Sequence, residues 1–386
     1  MKICVPLLLS LVCLSSLLSG LSGLYLGISS GISEILILSL ILVLVCTRKI
    51  AIGKDMALSF LLFLLFYCWL IFRAIDTASY LYFYEKLFKT INILFPFVVM
   101  LYVRRDDIHK MFRYCITINV FIGFIYLWSY GSFLLGDINY EQGNIFNTFY
   151  LNFGLLTGYF TIVSYCYYIY ENNKCHLFFS IVLLSFIVFS GARGPLLISV
   201  FVIAILSIYR FRSLISTKSL FYLSIFVVIS YYFILSSNNL DVLLERSSNR
   251  LLLLFSDDKG ASVNTRLVYL HEAIKYINEN IFFGYGFGSY GSVVFQDDSR
   301  LYPHNILIEI FFELGLIGLC LFLLFLLRVG VSILNISSSD ERVVSLIGLT
   351  YFFINALKSN SLIDHRLLFI SIIIPLVFTR DSNEQV

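Results

Sequence analysis

An arginine stands between two apolar segments in the stretch FSGARGPLL, residues 189–197. Gly191 and Gly194 leave the backbone free to turn, and Pro195 suits the first position of a following helix. The start of that helix offers unpaired N–H groups and the positive end of a dipole, so Arg193 and these groups can together bind an anion such as a phosphate or diphosphate. The same pattern is as typical of an arginine that caps a membrane hairpin and extends its charge to the lipid headgroups.

A second candidate lies in the stretch YPHNILIEIFFELGLIG, residues 302–318. Its His304 carries an imidazole, the side chain best suited to proton transfer near neutral pH. Glu309 and Glu313 follow at i, i+4 spacing inside an apolar segment, where a carboxylate is costly unless it is paired. We expect an arginine to pair with these glutamates. For His304, an interfacial residue without catalytic function remains an alternative.

Two further clusters carry basic residues. Arg266 opens a predicted amphipathic helix, NTRLVYLHEAIKYINEN, and lies at the border of its apolar face, near Ala273. The apolar positions of that face are Leu267, Leu270, Ile274, Ile277 and Ile281. This position lets Arg266 point towards a membrane, although a solvated or salt-bridged arginine fits the spacing as well. The stretch SLIDHR adds His365 and Arg366 as candidate substrate contacts.

The composition restricts the class of protein that must position these residues. Hydrophobic residues make up 59% of the 386-residue chain and charged residues only 13%, against about 25% in soluble domains. Continuous apolar segments such as SFLLFLLFYCWLIF must form helices within a bilayer, because only helices pair every backbone group internally. We therefore predict an all-α polytopic membrane protein with about 12 transmembrane helices.

The distribution of lysine and arginine indicates the orientation of the chain. These residues concentrate in alternate short connections, beginning with the N-terminal one, which predicts that both termini are cytoplasmic. Residues 1–236 would then form helices 1–9, residues 237–303 a large, partly helical periplasmic loop, and residues 304–386 helices 10–12. Arg193 and His304 fall on the same, outer side as the loop.

Several kinds of chemistry have no signature in the sequence. The eight cysteines show no CxxC spacing, so we expect neither disulfides nor a zinc site, and no other metal or cofactor. P-loop, GxSxG and nucleotide-sugar acidic motifs are not evident.

Two arginines and a histidine at headgroup depth suit a lipid-linked substrate that bears phosphate. Because nucleotide donors are not supplied outside the cytoplasm, we expect an activated lipid diphosphate as the donor.

Three stretches resemble the bacterial O-antigen polymerase and O-antigen ligase superfamily. The first is SGARG, whose Arg193 resembles an arginine that this superfamily has at the start of an outer hairpin helix. The second is NTRLVYLHEAIKYINENIFFGYGFGSY, which is similar to a loop helix followed by a glycine-rich turn. In the third, PHNILIEIFFELGLIG, nine residues separate Asn305 from Gly315, the first glycine of a Gly-x-x-Gly, as in the His-Asn motif of the family. The similarity covers about the C-terminal half of the chain.

This resemblance implies an inverting, metal-independent glycosyltransferase with a GT-C-like fold, located in the bacterial inner membrane with a periplasmic active site. Its donor would be an undecaprenyl-diphosphate-linked oligosaccharide. Arg193 and Arg266 would hold and neutralise the diphosphate leaving group, and His304 would deprotonate or orient the acceptor hydroxyl. We add Gly194 and Asn305 to the expected substrate contacts.

The same motifs are compatible with two acceptors. A polymerase would extend another lipid-linked repeat unit, and a ligase would transfer the glycan to lipid A–core. We favour the polymerase, because divergent chains rich in aromatic residues, here 17%, more often resemble polymerases. A lipid-linked glycan flippase is a third hypothesis, although transporters typically show internal repeats and charges at mid-membrane. The expected partners are the bilayer and a polysaccharide chain-length regulator, and not nucleic acid.

Overall fold

A computed structural model describes residues 4–26, 31–134, 140–190, 192–211 and 261–383. Within these ranges every regular element is a helix, as the composition predicts. The helices are α1 (Cys4–Cys13), α2 (Ser15–Leu26), α3 (Ile32–Thr47), α4 (Lys54–Ile75), α5 (Tyr82–Lys89), α6 (Ile91–Met100), α7 (Arg105–Leu134), α8 (Tyr140–Glu171), α9 (Lys174–Ser190), α10 (Arg193–Phe211), α11 (Ala261–Ile277), α12 (Tyr290–Phe295), α13 (Ile306–Leu334), α14 (Ser339–Ala356) and α15 (Arg366–Asn383), with a 3-10 turn at Leu362–Asp364.

Several helices have the length and apolarity of membrane spans. Among the described residues, three satisfy both criteria: α4, residues Arg105–Ser129 of α7, and α13. The pair α1 and α2, bent by 65°, would make a fourth if it forms one span, and three shorter helices are also apolar. These helices indicate a multi-pass membrane protein. The total of about 12 spans and the periplasmic loop stay predictions, and the predicted ninth span, residues 219–236, lies outside the described residues.

The chain divides into two compact units. The first lies within Met1–Leu36 and Lys110–Lys259, and the second within Ile37–His109 and Gly260–Val386. The division of the sequence at residues 236 and 303 remains a prediction.

In the first unit, α8 packs against α2, α9 and α10 and fixes the point at which α10 begins. A Cβ atom on Gly154 would lie 2.2 Å from the Cβ of Ala192, so the two backbones meet closely there. The Ser199 hydroxyl of α10 donates to the carbonyl of Gly158 across 3.1 Å. The predicted hairpin is confirmed: α9 ends at Ser190 and α10 starts at Arg193.

In the second unit, α13 packs against α4, α11 and α15 and is broken at Gly315. The backbone there has φ 69° and ψ −171°, which is not helical. The glycine-rich turn that follows α11 occupies the break. Tyr285 N–H donates to Phe312 O and Gly286 N–H to Glu313 O, both across 2.9 Å, while Leu316 N–H donates to the carbonyl of Ile281 across 2.7 Å. Backbone groups that the break leaves without helical partners are therefore paired by the turn, as an apolar surrounding requires.

The close approach of the turn explains why glycine occupies both sides of the contact. A Cβ on Gly315 would lie 2.2 Å from the carbonyl oxygen of Phe282, and one on Gly284 would lie 2.6 Å from the amide nitrogen of Gly315. Both glycines also have positive φ, a conformation that other residues adopt at a cost. The spacing from Asn305 to Gly315 thus runs from the start of α13 to its break.

The predicted loop helix is confirmed as α11, but its packed face differs from the predicted apolar face. Ala273 and Ile277 are buried against Tyr290 and Phe312, whereas Leu267 and Ile274 are exposed. The prediction was wrong on this point because the rings of Tyr269 and Tyr276 supply much of the packed surface, and the small Ala273 permits close approach. Arg266, two turns before Ala273, lies in line with the packed face.

We predict that Gly315→Ala destabilises the protein, because the added methyl group meets the turn and φ is positive. The free energy of unfolding should fall by about 2 kcal/mol or more, measured as a lower melting temperature in detergent. Gly330→Ala in the same helix is the control, since a Cβ there meets nothing within 4 Å. Equal melting temperatures for the two variants would contradict the proposed role of the break.

Candidate active site

His304 lies in the short connection between the α12 region and α13, in an unusual backbone conformation. Its φ is 57°, in the left-handed region that residues other than glycine rarely adopt and that often marks functional positions. The centre of its ring lies 4.4 Å from that of Tyr302 and 6.0 Å from that of Tyr269. Its Nδ1 is buried without a hydrogen-bond partner among the described residues. Two tyrosine rings therefore orient the imidazole.

Asn305 fixes this connection to its surroundings. Its Oδ1 accepts from the N–H groups of Leu307 and Ile308, at 3.0 and 3.1 Å, and so caps α13. Its Nδ2 donates to the carbonyl of Leu357 across 2.9 Å. These contacts support a positioning role for Asn305, and the expected substrate contact stays a prediction.

Arg266 reaches the same segment from α11. Its Nη1 donates to the carbonyl oxygen of Lys358 across 3.5 Å. Two predicted site residues, Asn305 and Arg266, therefore bind successive carbonyls, those of Leu357 and Lys358. The structure brings Arg266 together with His304 and Asn305 in the second unit, although Arg266 belongs to a different stretch of the sequence.

The surroundings of His304 favour its neutral form. Burial lowers the pKa of its imidazole, the positive charge of Arg266 lowers it further, and Glu309 opposes both effects. An unprotonated imidazole at neutral pH can accept a proton from a hydroxyl group. The site thus combines a proton acceptor with a neighbouring cation.

In the first turns of α13, Glu309 and Glu313 pair with Lys86 of α5. The Lys86 Nζ lies 2.6 Å from Glu309 Oε1 and 2.6 and 2.7 Å from the two oxygens of Glu313. The three side chains are almost completely buried, and Nζ also lies 4.8 Å from the ring centre of Phe287. Burial by itself lowers the pKa of Lys86, but the two carboxylates outweigh it and raise the pKa, so the lysine stays charged.

The expected arginine partner for these glutamates was therefore wrong. A compact ammonium with three N–H donors can serve two carboxylates one helical turn apart, which a planar guanidinium does less readily. The signal that could have identified Lys86 was charge: two carboxylates in an apolar segment require a cation. Lys86 was not identified as their partner, because 223 positions separate it from Glu309.

Glu309 also holds the turn that precedes α15. Its Oε1 accepts from the Ser361 hydroxyl at 2.5 Å, and its Oε2 from the Leu362 N–H at 2.9 Å. The carboxylate of Asp364 in the same turn accepts from Arg300 Nη2 at 2.8 and 2.7 Å. Ser361 and Arg300 were missed in the sequence, because nothing local marks a serine or an exposed arginine as a partner.

The remaining candidates are placed but their functions stay predictions. His365 follows the 3-10 turn and is buried, with its Nε2 lacking a partner among the described residues. Arg366 is the first residue of α15. Arg193 and Gly194 open α10 in the first unit, whereas Arg266 and His304 belong to the second.

We predict that Lys86→Met destabilises the protein by about 3–5 kcal/mol, because it leaves two buried carboxylates without a cation. Lys89→Ala should cost at most about 1 kcal/mol, since Lys89 pairs with Glu85 at a partly exposed position. Adding Glu309→Gln and Glu313→Gln to Lys86→Met should recover part of the loss. Melting temperatures in detergent measure all three, and equal effects of the two lysine variants would refute the pairing.

One comparison with known protein families gave a match that includes several of these residues. Residues 178–323 match a family model described as O-antigen ligase. This range includes Arg193, Arg266, His304 and the break at Gly315. No curated protein matched the chain.

Proposed function

We propose, from the match of residues 178–323 to a family model described as O-antigen ligase, that the chain belongs to the O-antigen polymerase and ligase superfamily and is an O-antigen polymerase. Members of this family are glycan-transferring enzymes. The donor would be an undecaprenyl-diphosphate-linked oligosaccharide, and the acceptor another lipid-linked repeat unit. The observation that carries the proposal is the neutral, tyrosine-flanked imidazole of His304 with the cationic Arg266 in the same site.

The proposed reaction is a single displacement. The acceptor hydroxyl oxygen forms a bond to the anomeric carbon of the donor sugar, and the bond from that carbon to the diphosphate oxygen breaks. The hydroxyl proton passes to His304, and the electron pair leaves with the diphosphate. The positive charge of Arg266 would stabilise the charge that develops on the leaving group, a role that the resemblance implies for Arg193 as well. Attack opposite to the leaving group inverts the anomeric configuration, and the arginines supply the neutralisation without a metal ion.

The ligase is the second candidate, because the matching family model carries that description. It would differ only in the acceptor, lipid A–core. The flippase has no support from the match. A bacterial inner-membrane location, cytoplasmic termini, a periplasmic site and an interaction with a chain-length regulator belong to the proposal as well.

We predict that His304→Ala and Arg193→Ala lower transfer by at least about 100-fold in proteoliposomes supplied with lipid-diphosphate repeat units. Release of undecaprenyl diphosphate with chain growth would indicate a polymerase, and transfer to lipid A–core alone a ligase. His271→Ala is the control, since this histidine is exposed on α11. Wild-type activity in either test variant would remove that residue from the mechanism, and glycan translocation without bond formation would contradict the proposal.

We also predict that the titration of His304 determines how kcat/KM depends on pH. Since the pKa of His304 is lowered, activity should fall only as the pH drops below about 6.5, the ordinary histidine value. Arg266→Gln removes a charge that lowers this pKa, so its acid limb should shift to higher pH, whereas Arg266→Lys should retain the wild-type limb. Identical pH profiles for all three proteins would exclude His304 as the titrating base.

A further inference from the structure

A second cation lies beside Arg266. Lys358 follows the end of α14 and is half-buried, and its carbonyl oxygen accepts the hydrogen bond from Arg266. Burial lowers the pKa of Lys358, and the positive charge of Arg266 lowers it further. Two like charges therefore oppose each other at a site where solvent screens them only in part.

The carboxylates at the start of α13 and in the turn before α15 have other partners. Glu309 binds Lys86, Ser361 and the Leu362 N–H, and Asp364 binds Arg300. Within the described residues no salt bridge involves Arg266 or Lys358. Holding two cations together without an anion is unfavourable, and such perturbed groups are typical of functional sites.

The backbone around Lys358 is firmly held. Asn305 donates to the carbonyl of Leu357 and Arg266 to that of Lys358. The Lys358 N–H donates to the Asn355 carbonyl across 3.3 Å. These bonds hold the backbone of Lys358 next to the start of α13, directly after His304.

We propose that Lys358 and Arg266 form a subsite for the diphosphate of a polyprenyl lipid. This inference rests on the proposed function and adds to it Lys358, which no sequence motif marks. The guanidinium can bind two phosphate oxygens in parallel, and the ammonium can act as a point charge on the neighbouring oxygens. A bound dianion replaces the repulsion between the two cations by attraction to both. The diphosphate can come from the donor or from a lipid-linked acceptor.

The test is binding of undecaprenyl diphosphate to the purified full-length protein in detergent, with undecaprenol as the ligand without phosphate. We expect Lys358→Ala to weaken undecaprenyl diphosphate binding by about 10- to 100-fold, as for the loss of one charged hydrogen bond, and to leave undecaprenol binding unchanged. Lys358→Arg should restore most of the affinity. Lys275→Ala, at an exposed lysine paired with Glu272, is the matched control and should bind as the wild type does.

The outcomes separate this inference from the proposed function. Tight binding by the wild type and by Lys358→Ala alike would overturn the subsite alone. Wild-type binding of undecaprenyl diphosphate no tighter than that of undecaprenol would overturn the proposed donor. Initial rates with each substrate varied in turn then assign the source: a higher donor KM for Lys358→Ala identifies the leaving group, and a higher acceptor KM the acceptor lipid. Equal loss of both ligands would indicate general disruption and would contradict the subsite.

Discussion

Two negative charges inside an apolar helix are the constraint on which the second unit depends. Glu309 and Glu313 can lie there only because Lys86 meets both carboxylates and because the Ser361 hydroxyl and the Leu362 N–H also donate to the carboxylate of Glu309. A buried charge without these partners costs several kcal/mol. The requirement joins α5, the first turns of α13 and the turn before α15. It thereby sets the position of the connection that carries His304.

Glu313 links this charge cluster to the break in α13. Its carboxylate binds Lys86, while its backbone carbonyl accepts from the Gly286 N–H of the glycine-rich turn. The side-chain and backbone polar groups of one residue are thus satisfied by two different parts of the chain. Since the same turn leads back to α11, the position of Arg266 also depends on the contact at Gly315. The catalytic candidates on α11 and before α13 are positioned through shared, buried polar contacts.

Much of the local structure followed from the sequence, while the long-range contacts did not. Apolar segments predicted the helices, the glycines and proline predicted the hairpin before Arg193, and amphipathic spacing predicted α11. Lys86 was missed as the partner of Glu309 because 223 positions separate them in the sequence and only the fold brings them together. The packed face of α11 was misassigned because leucine, isoleucine and tyrosine can all cover an apolar surface. Lys358 had no motif, since its significance arises from its proximity to Arg266.

The break in α13 also restricts the length of the segment from Asn305 to Gly315. Its length is defined at both ends, by the amide cap of Asn305 and by the left-handed glycine at position 315. Each residue of an α-helix turns the chain by about 100°. One inserted or deleted residue between these ends would rotate the two glutamates away from Lys86 or move the glycine away from the turn. Divergent versions of this segment can therefore exchange side chains freely at many positions, but they must keep the number of residues constant.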